Sequence, residues 1–352
     1  MFSIPRHVAP TSESPTRKDA GDAVPLGRRN FLNRGLVTAL AATGLLVVAS
    51  VIFAPSSLDR GTLLTMLPFA SALAVAALGQ TLVVMQGGID LSVAGGFSLY
   101  VVILTKYPAG DNSRLWAALG IAFAASILVG CFNGMLIGRM GLNPIVATLG
   151  TNAMLYGAVF WYSNDIPTTT TARLSSFGST VWLGIPAPVY VAVITTAFVT
   201  LIVKLTPIGR RFEGVGSNGI SALTAGIRVK RHKASAYIWA QVLYCLGAVL
   251  HASIVNQPTA HEGDNYLLPT VAVVVLGGTS LLGGRGNLVA TAIAAVFLSQ
   301  LDQFVLSLGV SYATQSLVQA GALAVGIALY TIDWKGLARR IHARRSTRLV
   351  PT

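Results

Sequence analysis

The sequence predicts an all-α, polytopic membrane protein of about ten transmembrane helices with both termini in the cytoplasm. Three observations carry this. Hydrophobic residues make up 53% of the 352 and charged residues only 11%, where a soluble domain carries about 25% charged residues. Apolar runs recur at lengths close to the ~20 residues that a helix needs to cross a bilayer core. The basic residues, finally, are shared very unevenly between alternate gaps.

In chain order, residues 1–35 carry Pro5, Pro10, Pro15 and Pro25 among Ser, Thr and Arg, with nothing to bury. They are expected to form a disordered cytoplasmic tail. The apolar run 36–54 follows Arg28, Arg29 and Arg34 and is too long, with too long a leader, for a usual cleaved signal; it is expected to be an uncleaved first span. Further spans are expected at 63–86, 89–106, 115–138, 143–162, 187–205, 234–255, 267–281, 287–309 and 314–332. A membrane domain over 36–333 and a basic cytoplasmic tail over 334–352 complete the chain.

Charge tests that count. Ten spans place both ends and every even-numbered gap on one side, which then holds twenty Lys and Arg, against Arg60, Lys106, Arg114 and Arg173 on the other. That asymmetry follows the positive-inside rule and makes the richer side cytoplasmic. The net charge of +13 is thereby a matter of topology. Nucleic acid is excluded as a partner.

Residues 63–107 are apolar except for a glycine-rich break: Gln80, Gln86, Gly87, Gly88, Asp90 and Ser92. A charge at the bilayer centre costs roughly 2.5–3.5 kcal/mol on insertion scales, so Asp90 needs polar company. The break therefore reaches water or lines a polar cavity. An acid just ahead of a helical run is also a natural cap for free backbone N–H groups, and that is the expected first partner of its side chain. Asp302 lies inside a span with Gln300 and Gln303 beside it, and Gln315 and Gln319 follow. Such groups suit a polyhydroxylated solute, and they equally suit hydrogen bonds that only hold helices together.

A second glycine cluster, 277–286, resembles the first in pairing glycines ahead of a polar residue and Leu. Two such breaks, one in each half, fit a transporter built from internal repeats; close helix packing is the plainer reading. The one sizeable cytoplasmic loop, 206–233, mixes small and apolar residues at helical spacing between basic ones. It contains a GxGxxG match at Gly214, Gly216 and Gly219. No βαβ unit surrounds it and no acid follows at the required distance, so it is not a dinucleotide site. Trp161, Tyr162 and Tyr266 fall near non-cytoplasmic span ends, where interfacial anchoring accounts for aromatics. His251 and His261 have no metal-ligand spacing, and Cys131 and Cys245 read as ordinary buried residues.

The sequence contains no GxxxxGK[ST], no HExxH, no catalytic Ser/His/Asp pattern and no paired carboxylates. Neither an enzyme nor a metal site is expected. The residues alone leave open an ATP-independent secondary transporter of a small polar solute, whose coupling ion only Asp90 or Asp302 could bind.

The stretch from Gly79-Gln80-Thr81 through Gly87-Gly88-Ile89-Asp90-Leu91-Ser92-Val93 resembles the "GQT…GGIDLSVG" signature of permeases from ribose-type bacterial ABC sugar importers. Phe132-Asn133-Gly134 and 143–151, then 206–229, then 272–281 are similar to further family motifs in the expected order. The resemblance covers about 63–333. It implies a permease subunit that moves a monosaccharide, a pentose or a hexose, from periplasm to cytoplasm across the bacterial inner membrane. It also implies a cytoplasmic ABC ATPase that binds the ATP and Mg, an extracytoplasmic sugar-binding protein, and a second permease, identical or not. No cofactor is expected in the chain itself. The solute path would involve Gln80, Asp90, Ser92, Asn133, Thr148, Asp302 and Gln303. The coupling surface would be 206–233, with Thr206, Gly209, Arg210, Arg211, Gly216, Asn218 and Gly226 as its matching residues. The chain departs from the family there, having Glu213-Gly214 and Gly219-Ile220-Ser221-Ala222 in place of an aromatic-Ala pair and "PEAA".

Overall fold

The structure, a computed structural model, describes residues 34–311 and, beyond them, 313, 314, 317, 320, 321 and 324. Residues 1–33 of the expected first tail, the tail 334–352 and most of the expected span 314–332, with Gln315 and Gln319, lie outside the described residues.

Helix follows helix along the chain. α1 (Arg34–Phe53) and α2 (Arg60–Met85) are joined by a short turn; the break at 86–92 leads into α3 (Val93–Lys106). Then come α4 (Leu115–Gly134), continued by a π turn over Met135–Arg139, α5 (Pro144–Ser163) and a short α6 (Ala172–Ser179). β1 (Val181–Trp182) and β2 (Ile185–Pro186) form a small antiparallel hairpin. α7 (Ala187–Leu205), α8 (Pro207–Ser217), α9 (Gly219–Thr224), α10 (Val229–Ile254), α11 (Asp264–Leu276) and α12 (Leu288–Ser307) complete the described part.

Among the described residues, six helices are long and apolar enough to cross a membrane: α1, α2, α4 with its flanking turns, α7, α10 and α12. The expected spans 89–106 and 267–281 are the short apolar helices α3 and α11, of 14 and 13 residues. At 1.5 Å per residue such a helix is about 20 Å long, short of the ~30 Å hydrocarbon core. The expected span 143–162 is α5, of 20 residues.

α2 is the axis of the bundle. From Ala70 to Gln86 every residue is buried, so the helix is enclosed on all sides, by α10, α12, α7 and α11. α1 instead shows Leu45, Val48, Ile52 and Phe53 to the outside, as a lipid-facing helix does. Small residues set how closely the inner helices approach. Gly130, Gly134 and Gly138 form one stripe along α4 and its π turn; a Cβ on each would lie 2.6–2.8 Å from backbone atoms of α10. In lipid no hydrophobic force draws helices together, so close backbone packing of this kind supplies the attraction.

Interhelical contacts sort the loops into two ends. At one end, the Gly284 N–H donates to the Met85 carbonyl and the Gln86 amide to the Phe212 carbonyl. This end carries Arg139, Arg210, Arg211, Arg228, Lys230, Arg231 and Arg285. At the other, Lys106 donates to the Ser163 carbonyl and the Arg173 N–H to Asn112. Cations are far fewer at that end, which is the distribution expected of an extracytoplasmic side.

Candidate functional site

The break at 86–92 is held by a buried hydrogen-bond network drawn from five helices. The Asp90 carboxylate accepts from the Ser92 N–H (2.9 Å), the Ser92 hydroxyl (2.5 Å) and the Gln241 amide of α10 (3.2 Å). Ser92 Oγ also accepts from Gln241 (2.8 Å) and from Asn133 of α4 (2.9 Å). Asn133 Oδ1 accepts from Thr151 of α5 (2.6 Å), and Gln241 Oε1 from Tyr100 of α3 (2.7 Å). Thr148 accepts the Leu91 N–H at 3.0 Å and donates to the Pro144 carbonyl at 2.8 Å. Gln80 of α2 closes the set: its amide nitrogen donates to Tyr244 and the Asp90 carbonyl, and its oxygen accepts the Asp90 N–H.

Gln80, Asp90, Ser92, Asn133 and Thr148, all expected on the solute path, thus come together, and each is 0% exposed. Buried polar groups in a low dielectric are costly unless satisfied, and here the members satisfy one another. Asp90 does cap free backbone, through an Asx turn onto Ser92, while Ser92 itself holds the N-cap position of α3. Asp302 and Gln303 lie apart, half-buried on α12; no hydrogen bond joins them to the network, and Asp302 Oδ1 has no partner among the described residues. Their neighbour Gln300 donates instead to Ser50 and Ser57. Sequence reasoning missed Gln241, Tyr244, Tyr100, Thr151 and Asn152, whose Oδ1 accepts the Gly95 N–H at 2.7 Å. The available signal was the presence of amides and hydroxyls within apolar runs.

The second glycine cluster meets the first directly beneath this network. Gly283 and Gly284 both adopt positive φ (91° and 81°), which glycine tolerates without a Cβ clash. α8 seals the junction: a Cβ on Gly216 would lie 1.9 Å from the Met85 carbonyl oxygen. That contact is the physical reason for glycine within the GxGxxG match. Lys204, at the end of α7, pairs with Glu213 of α8 and donates to the Gly286 carbonyl at 3.1 Å.

The remaining loop residues shape the same surface. Thr206 caps α8 by accepting the Gly209 N–H, and a Cβ on Gly209 would collide with the Val203 carbonyl at 2.1 Å. Asn218 caps α9 by accepting the Ile220 and Ser221 N–H groups, both at 3.0 Å. Gly226 ends α9 with φ of 77° while the Ile227 N–H returns to the Ala222 carbonyl, a Schellman-type stop. Arg210 reaches the Leu205 carbonyl, and Arg211 lines a cavity beside α10. Ile208, Ile220 and Leu223 stand exposed on this face.

At the cation-poor end, His251 sits between Tyr266 (2.9 Å) and Glu262 (2.8 Å). Glu262 also accepts the N–H and hydroxyl of Thr259. Asp264 accepts from Tyr156 and pairs with His261. His251 is therefore a structural group beneath the 255–263 loop, whereas Trp161 is 83% exposed, as an interfacial anchor would be.

Residues 62–327 match the family model described as the branched-chain amino acid transport system permease component. The ribose import permease protein of Bacillus subtilis (strain 168) is 34% identical over 81% of this chain and 89% of its own length. That of Escherichia coli (strain K12) is 30% identical over 86% of this chain and 96% of its own. The fructose import permease protein of Bifidobacterium longum (strain NCC 2705) is 29% identical over 80% and 84%. No solved structure matches.

Proposed function

The chain belongs to the family described as the branched-chain amino acid transport system permease component, and from its likeness to ribose and fructose import permeases we propose that it is the permease subunit of an ABC sugar importer. It is a multi-pass inner-membrane protein, and the family leaves ATP hydrolysis to partner subunits. The solute proposed is a monosaccharide, a pentose or a hexose, because the import permeases it resembles include those named for ribose and fructose.

One observation supports the mechanism above others: the loop at 206–226 is seated on the break itself, through Gln86 to Phe212 and through Gly216 against Met85. A force applied to α8 from the cytoplasm acts at once on both glycine breaks and on the network above them. In this reading an ABC ATPase, which carries the ATP and Mg, docks on the exposed side of α8 and α9. An extracytoplasmic sugar-binding protein delivers solute at the opposite end, and a second permease, identical or not, completes the path. Gln80, Asp90, Ser92, Asn133 and Thr148 fix the shape of the break beside the solute path. Ten crossings result if α3, α5, α11 and the segment 314–332 each complete one.

The test is purification with the partner ATPase and reconstitution into vesicles. Co-purification, ATP-driven uptake of ribose or fructose, and loss of both coupling and uptake in the Arg210→Ala/Arg211→Ala variant are expected. A chain recovered alone that moves solute without ATP would overturn the proposal. Asp302→Asn provides a second reading, since an ATP-driven permease has no proton or sodium dependence to lose.

A further inference from the structure

A cavity of about 580 Å³ opens between α8, the α9–α10 turn and the first half of α10. Arg211, Arg228, Arg231 and His232 line it, and no acidic residue does. None of the three guanidinium groups makes an ion pair or a side-chain hydrogen bond among the described residues. The acid of the same loop, Glu213, is engaged by Lys204. Three unneutralised cations around one concavity repel one another and hold a standing attraction for an anion.

The wall is graded as well as charged. Arg228, His232, Ser235 and Trp239 recur at helical spacing on one face of α10, all lining the cavity. Over about 16 Å of rise they run from guanidinium through imidazole and hydroxyl to indole. The charged end lies at the cytoplasmic loop. The indole end is the one farther from the loop, and an exposed tryptophan suits contact with lipid near the headgroup region. Trp239 and Ile208 are 56% and 65% exposed, so the cavity is open along its apolar side. A free inorganic anion would use only the lower end. A phospholipid uses both, and basic recesses at the cytoplasmic ends of membrane helices suit anionic headgroups.

We propose that this cavity binds an anionic phospholipid of the cytoplasmic leaflet, its phosphate held by Arg211, Arg228 and Arg231 and its glycerol and upper acyl chain laid along Ser235 and Trp239. Such a lipid bridges α8, which carries Arg211, to α10, and so ties the loop to the bundle. The inference rests on the cytoplasmic placement of 206–233, and not on which solute is carried.

The experiment is native mass spectrometry of the delipidated full chain titrated with dioleoyl phosphatidylglycerol, dioleoyl phosphatidylcholine or inorganic phosphate. Phosphatidylglycerol is expected to bind about tenfold or more tightly than phosphatidylcholine, in line with ~1 kcal/mol per basic residue. Arg228→Gln/Arg231→Gln should erase that preference, and Arg228→Lys/Arg231→Lys should keep much of it. Trp239→Ala, which leaves every charge in place, should weaken phosphatidylglycerol and leave inorganic phosphate unchanged, and serves if the first variant does not fold. Equal binding of the two lipids would overturn the proposal. So would displacement of phosphatidylglycerol by an equal concentration of inorganic phosphate, which would assign the cavity to a free anion. Lipid indifference, with these arginines shielded from a guanidine-modifying reagent only when the ATPase is present, would assign it to protein docking. Because the titration needs no transport, its failure is distinct from a failure of ATP-driven uptake.

Discussion

At Gly216 a single methyl group decides whether α8 can lie on the break, because it would stand 1.9 Å from the Met85 carbonyl oxygen. Gly214, two residues away on the same helix, has nothing within 4 Å of its would-be Cβ. Gly216→Ala should therefore destabilise the fold by about 1–3 kcal/mol, the usual range for overpacking, and depress ATP-driven uptake. Gly214→Ala should change stability by about 1 kcal/mol or less, and thermal unfolding of the two variants checks the contrast. Glu262 offers a second single-residue test. Burial pushes its pKa up, but the hydrogen bond from His251 and those from Thr259 outweigh burial and leave it below the ordinary value of 4.5. A depressed folded pKa stabilises above the unfolded value and loses that stabilisation as pH falls through the folded one. The stability difference between wild type and Glu262→Gln should be constant above pH 4.5 and shrink below it, as read from unfolding midpoints across pH.

Among the elements, the stripe of Gly130, Gly134 and Gly138 makes the α4–α10 contact what it is. Gly134→Val would press a branched side chain onto the Ala234 backbone, 2.8 Å from where its Cβ would sit. The contact should open, and with it the hydrogen bond from Asn133 to Ser92, one residue from the stripe. Gly150, on α5, has open space at its Cβ, so Gly150→Val should retain membrane-embedded, folded protein where Gly134→Val loses it. Comparing the yields of folded protein in detergent checks this.

The same elements show what the sequence could convey. An acid and paired glycines inside an apolar run marked the break, since lipid tolerates neither without cause. Thr206, Gly209, Gly216, Asn218 and Gly226 were found through motif resemblance, and each has a local steric or capping reason. Gln241 was not found, because its partner Asp90 lies 151 residues away and no local pattern encodes a pairing of that separation. The expected spans 89–106 and 267–281 contain the short helices α3 and α11, whose ends hydropathy could not place because it counts apolar residues and does not see where the backbone leaves the helix. Asp302 was grouped with Asp90 on residue type, and the bundle leaves Asp302 outside the hydrogen-bond network that holds Asp90.

For the whole molecule, the two-ended sorting of loops is the property on which the coupling argument depends, and it can be tested without any transport. Leu183, at the tip of the hairpin, is 98% exposed, and Ile220, on α9, is 79% exposed. Leu183 sits in the turn between β1 and β2, with positive φ at Leu183 and Gly184, a conformation typical of two-residue hairpin turns. If cations mark the cytoplasmic side, these two positions lie on opposite faces of the membrane. In a Cys131→Ser background, which removes the exposed native thiol and leaves only the buried Cys245, a membrane-impermeant maleimide applied to intact cells or spheroplasts should label Leu183→Cys and spare Ile220→Cys. Inverted vesicles should reverse the pattern. Labelling of Ile220→Cys in intact cells or spheroplasts would place α9 and its neighbour α8 outside the cytoplasm, where no ATPase could reach them, and would remove the mechanical link from ATP to the break.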